Sequence, residues 1–137
     1  MKVLPQFYVV FLLFIFQSCT SPAQEDVASL SPIEVNVDEA SAIIANENTM
    51  LLDVRTAAEV KDGYIAGATH IDILKWEEFT DQVEKLDKSE PVMVYCKVGG
   101  RSAKAAAHLV ETGFIKVYDI KGGILAWKRA DKPIKKD

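Results

Sequence analysis

One cysteine in the interior of the chain has the neighbours a reactive thiol needs. The stretch Val94-Tyr95-Cys96-Lys97-Val98-Gly99-Gly100-Arg101-Ser102 passes from an apolar run through a thiol and two glycines into the alanine-rich Ala103-Lys104-Ala105-Ala106. Read as strand, loop and helix, it places Cys96 at a strand end facing a helix N-terminus. Unpartnered backbone N–H groups converge there, and the helix dipole favours an anion. An ordinary thiol has a pKa of about 8.5 and is only a few per cent thiolate at pH 7. A helix N-terminus stabilises an anion by roughly 0.3–2 kcal/mol, which lowers a pKa by up to about 1.5. Lys97 and Arg101 add positive charge, so a mostly ionised, nucleophilic Cys96 is expected. Gly99 and Gly100 let the backbone take positive φ and turn successive N–H groups inward as an anion-binding concavity. Ser102 can cap or hydrogen-bond the same anion. The competing reading is an inert buried cysteine with glycines that merely make a turn. Two basic neighbours are a poor match for that position.

What the thiol can do depends on the other cysteine. Met1-Lys2 is a short positive start, and Phe7 to Phe16 is an unbroken apolar run. That run is too short to span a bilayer, which takes about 20 residues, and it fits the apolar region of a secretory signal peptide. Phe16-Gln17-Ser18-Cys19 resembles a bacterial lipobox, with Gln17 departing from the usual small or aliphatic residue. The resemblance implies cleavage before Cys19 and lipidation of its thiol. Ordinary cleavage to a soluble secreted protein and a buried N-terminal helix are the alternatives. Residues 1–18 are thus expected to be a signal peptide and 19–31 a polar tether. A diacylglyceryl group meets the requirement of more than one chain for stable anchoring. The protein is expected to be exported and lipid-anchored to a bacterial membrane, on its periplasmic or cell-surface side.

With Cys19 acylated, Cys96 is the only thiol of the mature chain. It has no partner for an intramolecular disulfide or for the usual zinc sites, so no metal and no cofactor are expected. The whole chain carries a formal charge of −4, and losing Lys2 makes it more acidic. No basic tract remains to hold nucleic acid. The remaining domain of about 100 residues buries enough surface to fold without a disulfide.

The elements that must hold Cys96 can be read along the chain. Ile33 to Val37 alternates as a strand, and Asp38 is placed to cap a helix over Glu39 to Ala45. Met50 to Val54 is an apolar run interrupted only by Asp53, as in a buried parallel strand. Thr56 and Glu59 form a capping-box pattern for a short helix through Val60. A short strand is expected over Thr69 to Ile73. A helix over Trp76 to Leu86 carries Trp76, Phe79, Val83 and Leu86 on one face. Val92 to Tyr95 is the strand that delivers Cys96. Arg101 to Thr112 is a helix closed by Gly113, Lys116 to Ile120 a last strand, and Ile124 to Ala130 a final helix. Residues 32–130 form one α/β domain, a mainly parallel sheet of about five strands with helices on both faces, and 131–137 a polar tail. Sites in such sheets lie beyond the carboxyl ends of the strands, where Asp53-Val54-Arg55, Cys96 and Lys121-Gly122 all fall. His70 and His108 read as structural or surface residues.

Three blocks, LLDVRTAAEVKDGYIAGATHI (Leu51 to Ile71), VYCKVGGRSAKAA (Val94 to Ala106) and IKGGILAW (Ile120 to Trp127), resemble the signature blocks of rhodanese-like domains. They follow the family's order and cover the chain from about Ile33 to Lys128. Tyr64 stands where the family often has histidine. The resemblance implies a single-domain sulfurtransferase whose Cys96 carries sulfane sulfur as a persulfide. It makes Lys97, Val98, Gly99, Gly100, Arg101 and Ser102 the substrate-binding cradle. Asp53 and Arg55 match the family's Asp-Val-Arg. They are assigned mainly to structure, Arg55 pairing with Glu59, and secondarily to substrate contact. Gly122-Gly123 and Trp127 look like packing at the rim of the site.

The loop has four residues between Cys96 and Arg101. This size resembles rhodanese-type sulfurtransferases, whereas phosphatases on the related scaffold have five and a wider cradle. The implied reaction is a double displacement from a small anionic donor such as thiosulfate to cyanide or another thiol, in a monomer. A persulfide carrier, a non-catalytic binding module and a phosphatase or arsenate reductase on the same fold are the alternatives.

Overall fold

The computed structural model describes residues 31–46 and 48–137. The expected signal peptide, Cys19 and residues 19–30 of the tether lie outside the described residues. Strands β1 (Ile33–Val35), β2 (Met50–Asp53), β3 (Thr69–His70), β4 (Val92–Tyr95) and β5 (Val117–Ile120) form one sheet in the order β1-β5-β4-β2-β3. Every neighbouring pair is parallel. The crossovers are α1 (Val37–Asn46), α2 (Ala57–Lys61), α3 (Trp76–Val83) and α4 (Gly100–Glu111), and α5 (Gly123–Arg129) follows the last strand.

Side chains alternate along each strand, so the sheet builds one core on each face. Leu52, Val92, Val94, Cys96 and Val117 meet Phe79 and Val83 of α3 and Ala105, Ala106 and Leu109 of α4. On the other face Leu51, Met93, Tyr95, Tyr118 and Ile120 meet Ala40 of α1 and Ile124 and Trp127 of α5. Central β4 is buried along its whole length, which suits the run Val-Met-Val-Tyr. β2 and β3 lie on one side of β4, and on the other side β5, the last strand, fits between β4 and β1, the first. Cys96 follows β4, where a parallel sheet opens a crevice beyond its strand ends.

Several local expectations shift. Asn36, not Asp38, caps α1: its side-chain oxygen accepts the N–H groups of Asp38 (2.9 Å) and Glu39 (3.0 Å). The Glu39 carboxylate in turn accepts the Asn36 N–H at 2.8 Å, a reciprocal capping box. Val37 therefore belongs to the helix and β1 ends at Val35. The Thr56–Glu59 capping box forms as the sequence predicts. Trp76 is not a core residue of α3. It is 38% exposed, stacked on Phe79 with ring centroids 5.6 Å apart and covered by the Lys104 ammonium. The tail folds back: the Trp127 indole donates to the Pro133 carbonyl (3.0 Å), and Tyr64 donates its hydroxyl to Asp137 (2.7 Å).

Candidate active site

Cys96 is the first residue beyond β4, and its side chain is almost wholly buried beneath the first turn of α4. The helix begins without a side-chain cap, because its N-cap is Gly99 at φ 119°. Its first N–H groups are therefore left for an anion. The Gly99 N–H donates to the Cys96 sulfur at 3.0 Å. Burial pushes the Cys96 thiol up. Hydrogen bonds from the Ser102 hydroxyl and from the backbone N–H groups of Ser102, Gly99 and Val98 outweigh it and hold the thiol below its usual range, because they favour the charged form. Ser102 is fully buried and donates its hydroxyl proton to the Gly99 carbonyl at 3.1 Å. Only one of the two loop glycines has the expected positive φ. Gly100 is the first residue of α4 and a Cβ there would meet open space.

The two charged neighbours of the cysteine behave differently. Lys97 is exposed, and so is the apolar Val98. Arg101 instead donates to both carboxylate oxygens of Glu59, at 2.8 and 2.7 Å. Those bonds, against partial burial and with help from Thr56, hold the Glu59 carboxyl down to about 2. The expected Arg55–Glu59 ion pair is absent. Arg55 pairs with Asp53, Nε to Oδ1 at 2.8 Å, and uses its remaining donors on the carbonyls of Glu59 (3.1 Å) and Gly63 (2.9 Å). The physical reason is burial. Arg55 and Asp53 are 3% and 1% exposed, so each needs the other's charge close by. Asp53 also accepts the Tyr95 hydroxyl at 2.7 Å, and that hydroxyl accepts the Ile65 N–H at 3.1 Å. Arg55 and Asp53 thus belong to a buried network under the ends of β2 and β4, and Arg55 lines a cleft together with Glu59 and Lys97.

The glycine pair after β5 fixes the other wall. Gly122 and Gly123 both have positive φ, 75° and 57°. A Cβ on Gly123 would come within 2.5 Å of the Cys96 carbonyl oxygen and 2.7 Å of the Lys97 carbonyl. This approach lets the Ile124 N–H reach the Cys96 carbonyl (2.9 Å) and the Leu125 N–H the Lys97 carbonyl (3.2 Å). The start of α5 therefore grips the backbone of the cysteine loop from behind while α4 faces its sulfur. The pattern Gly-Gly before a short helix marks a close approach, but not what is approached. Glu59 was likewise legible as a capping residue and not as the partner of Arg101.

A family model for the rhodanese-like domain matches residues 36–130, and the chain belongs to that family. It is 39% identical over 90 residues to the thiosulfate sulfurtransferase GlpE of Coxiella burnetii, covering 66% of this chain and 81% of that protein. It is 33% identical over 102 residues to a sulfurtransferase of Allochromatium vinosum, covering 74% and 92%. Among solved structures it superposes on a rhodanese-related protein from Thermoplasma volcanium with a TM-score of 0.67 and 28% identity, covering 77% of this chain and 99% of that one. The polysulfide-sulfur transferase homodimer of Wolinella succinogenes gives 0.64 and 28%, covering 77% and 80%.

Proposed function

We propose that this protein is a rhodanese-type sulfurtransferase working through a persulfide on Cys96. The observation that carries the proposal is the buried Cys96 sulfur under an uncapped helix start, accepting the Gly99 N–H at 3.0 Å. The thiolate attacks the outer sulfur of a donor such as thiosulfate. A new sulfur–sulfur bond forms as the old one breaks, and sulfite leaves with the electron pair. An acceptor, cyanide or a thiolate, then attacks the outer sulfur of the persulfide and returns Cys96 as thiolate. No proton has to be transferred in either step, so a preformed thiolate needs no general base.

The loop Lys97, Val98, Gly99, Gly100, Arg101 and Ser102 is the cradle for the anion. Its N–H groups stabilise the thiolate and then the persulfide. Lys97 attracts an anionic donor, and Arg101, held by Glu59, forms the wall of the cradle. Asp53 and Arg55 support the strand ends beneath it. The chain acts as a monomer, tethered by a lipid on Cys19 to a bacterial membrane on its periplasmic or cell-surface side, with no metal or cofactor. Thiocyanate formation from thiosulfate and cyanide tests the activity. Ping-pong kinetics that disappear in Cys96→Ser are expected, and turnover that survives in Cys96→Ser would exclude the mechanism.

A further inference from the structure

Asp119 is a buried carboxyl group that the reaction above leaves unused. It lies on β5 opposite Val94 of β4 on one side and Glu34 of β1 on the other. Alternation puts it on the same sheet face as Val117, and Val94 and Cys96 share that face. Cys96 comes two residues after Val94, just beyond the end of β4, so carboxyl and sulfur belong to neighbouring chain segments on the same face of the sheet. Ser102 projects from the first turn of α4, fully buried. Ser102 sits close enough to both groups to hold down the titration of the Asp119 carboxyl and of the Cys96 thiol, while its hydroxyl donates to the Gly99 carbonyl at 3.1 Å. Asp119 is 8% exposed, and its Oδ1 is buried without a hydrogen-bond partner.

A serine hydroxyl has one proton and two acceptor lone pairs. Here three acceptors compete for that proton: the Gly99 carbonyl, the Asp119 carboxylate and the Cys96 thiolate. The competition eases when Asp119 carries a proton of its own, because it then donates to the Ser102 oxygen. The charged surroundings favour that state. Glu34 of β1 stands directly across from Asp119, its own carboxylate 3.0 Å from the Lys121 ammonium. Cys96 at the end of β4 is a second negative charge when ionised. Burial, then Glu34 against the opposing Ser102 bond, pushes the Asp119 carboxyl up to about 6.

We propose that protonated Asp119 is a positioning residue for the Cys96 sulfur, giving its proton to the Ser102 oxygen and leaving the Ser102 proton for the sulfur anion. Ionised Asp119 takes the Ser102 proton for itself and adds a negative charge beside the sulfur. The cradle therefore holds its anion best on the acidic side of the Asp119 titration. The inference concerns the sulfur anion of the sulfurtransferase reading and deepens it.

The test follows the carboxyl-carbon NMR signal of Asp119 through a pH titration of the full chain, in wild type, Cys96→Ser and Ser102→Ala. Linkage is reciprocal: if Asp119 and the thiolate compete, removing the thiolate charge must lower the Asp119 midpoint. A midpoint near 6 in wild type, lower in Cys96→Ser by roughly 0.5–1, or three- to tenfold in proton affinity, is expected. In Ser102→Ala the coupling should fall by at least about half. Coincident midpoints in wild type and Cys96→Ser overturn the proposal, and undiminished coupling in Ser102→Ala overturns the route through the hydroxyl. In Asp119→Asn, whose amide donates permanently to Ser102, the thiolate titration read by ultraviolet absorbance should move down several-fold in proton affinity. An unchanged thiol there also counts against it. Coupling without sulfur loading of Cys96 would contradict the sulfurtransferase reading and leave this inference intact.

Discussion

Arg101 at the end of the cysteine loop is clamped to Glu59, 42 residues earlier in the chain, by two hydrogen bonds of 2.8 and 2.7 Å. Glu59 also accepts the Thr56 N–H at 3.0 Å as the third residue of α2. One carboxylate thus closes a helix start and fastens the loop that carries the sulfur. The clamp takes both faces of the guanidinium fork, so Arg101 acts as a fixed wall and Lys97 remains the accessible cation.

Glu59→Gln removes the charge and keeps the shape. Because Glu59 is held down to about 2 from an ordinary 4.5, its contribution is fully present above pH 4.5 and is lost as pH falls toward 2. After allowance for solvent screening of a partly exposed pair, the variant should lose about 1–2 kcal/mol at pH 7. Urea unfolding of both proteins at pH 7 and near pH 2 checks this, with the gap closing at the lower pH.

The titration of Asp119 has the opposite sign. Its folded pKa is raised from 3.8 to about 6, so the native state holds the proton longer than the unfolded chain. The Asp119 contribution to stability is greatest below pH 4, falls between pH 4 and 6, and is flat above. Asp119→Asn should remove that slope and unfold at higher urea above pH 6, by on the order of 3 kcal/mol at most. A wild-type and variant pair with parallel pH profiles would contradict the raised titration.

The three site glycines are expected to differ sharply. Gly123→Ala forces a methyl to 2.5–2.7 Å from the Cys96 and Lys97 backbone at φ 57°, and should cost about 2–4 kcal/mol and most of the sulfur loading. Gly99→Ala is strained by its φ of 119° and should cost about 1–2 kcal/mol. Gly100→Ala meets open space in a helix and should be neutral or stabilising by about 0.5–1 kcal/mol. Thermal unfolding of the three variants gives the order.

Breaking the Arg55–Asp53 pair from either side leaves a buried charge unpaired. Arg55→Met and Asp53→Ala should each cost about 3–5 kcal/mol. Per folded molecule, sulfur loading at saturating donor should stay near the wild-type level, because both groups spend their hydrogen bonds within the buried network. A selective loss of donor affinity in a well-folded Arg55 variant would place Arg55 in the site after all.

Local features of this fold are legible in the sequence and long-range ones are not. Val92 to Tyr95 and Met50 to Asp53 are apolar runs whose burial on both faces follows from their composition. Cys96 followed by Gly-Gly and alanines reads as a strand end meeting a helix. The Thr56–Glu59 box is spelled within four residues. Asn36 and Asp38 are both good caps two residues apart, and only the packing of Val37 into the helix decides between them. Gly99 and Gly100 are chemically identical, and the geometry of the α4 start assigns the positive φ to one. Glu59 was a local partner for Arg55 by spacing, but burial joined Arg55 to Asp53 and left Glu59 for Arg101. In the sequence, Asp119 is one polar residue within the expected strand Lys116 to Ile120. Its importance comes from Ser102 and Glu34 on two other elements.

The central claim is that Cys96 carries transferable sulfur. Its most direct measurement is the intact mass of the reduced protein after incubation with thiosulfate and with other sulfane donors. A single added sulfur, about 32 Da, that maps to Cys96, is absent from Cys96→Ser and is discharged by cyanide is the predicted result. A wild-type protein that gains no sulfur from any donor, with its Cys96 thiol free and the domain folded, would contradict the account.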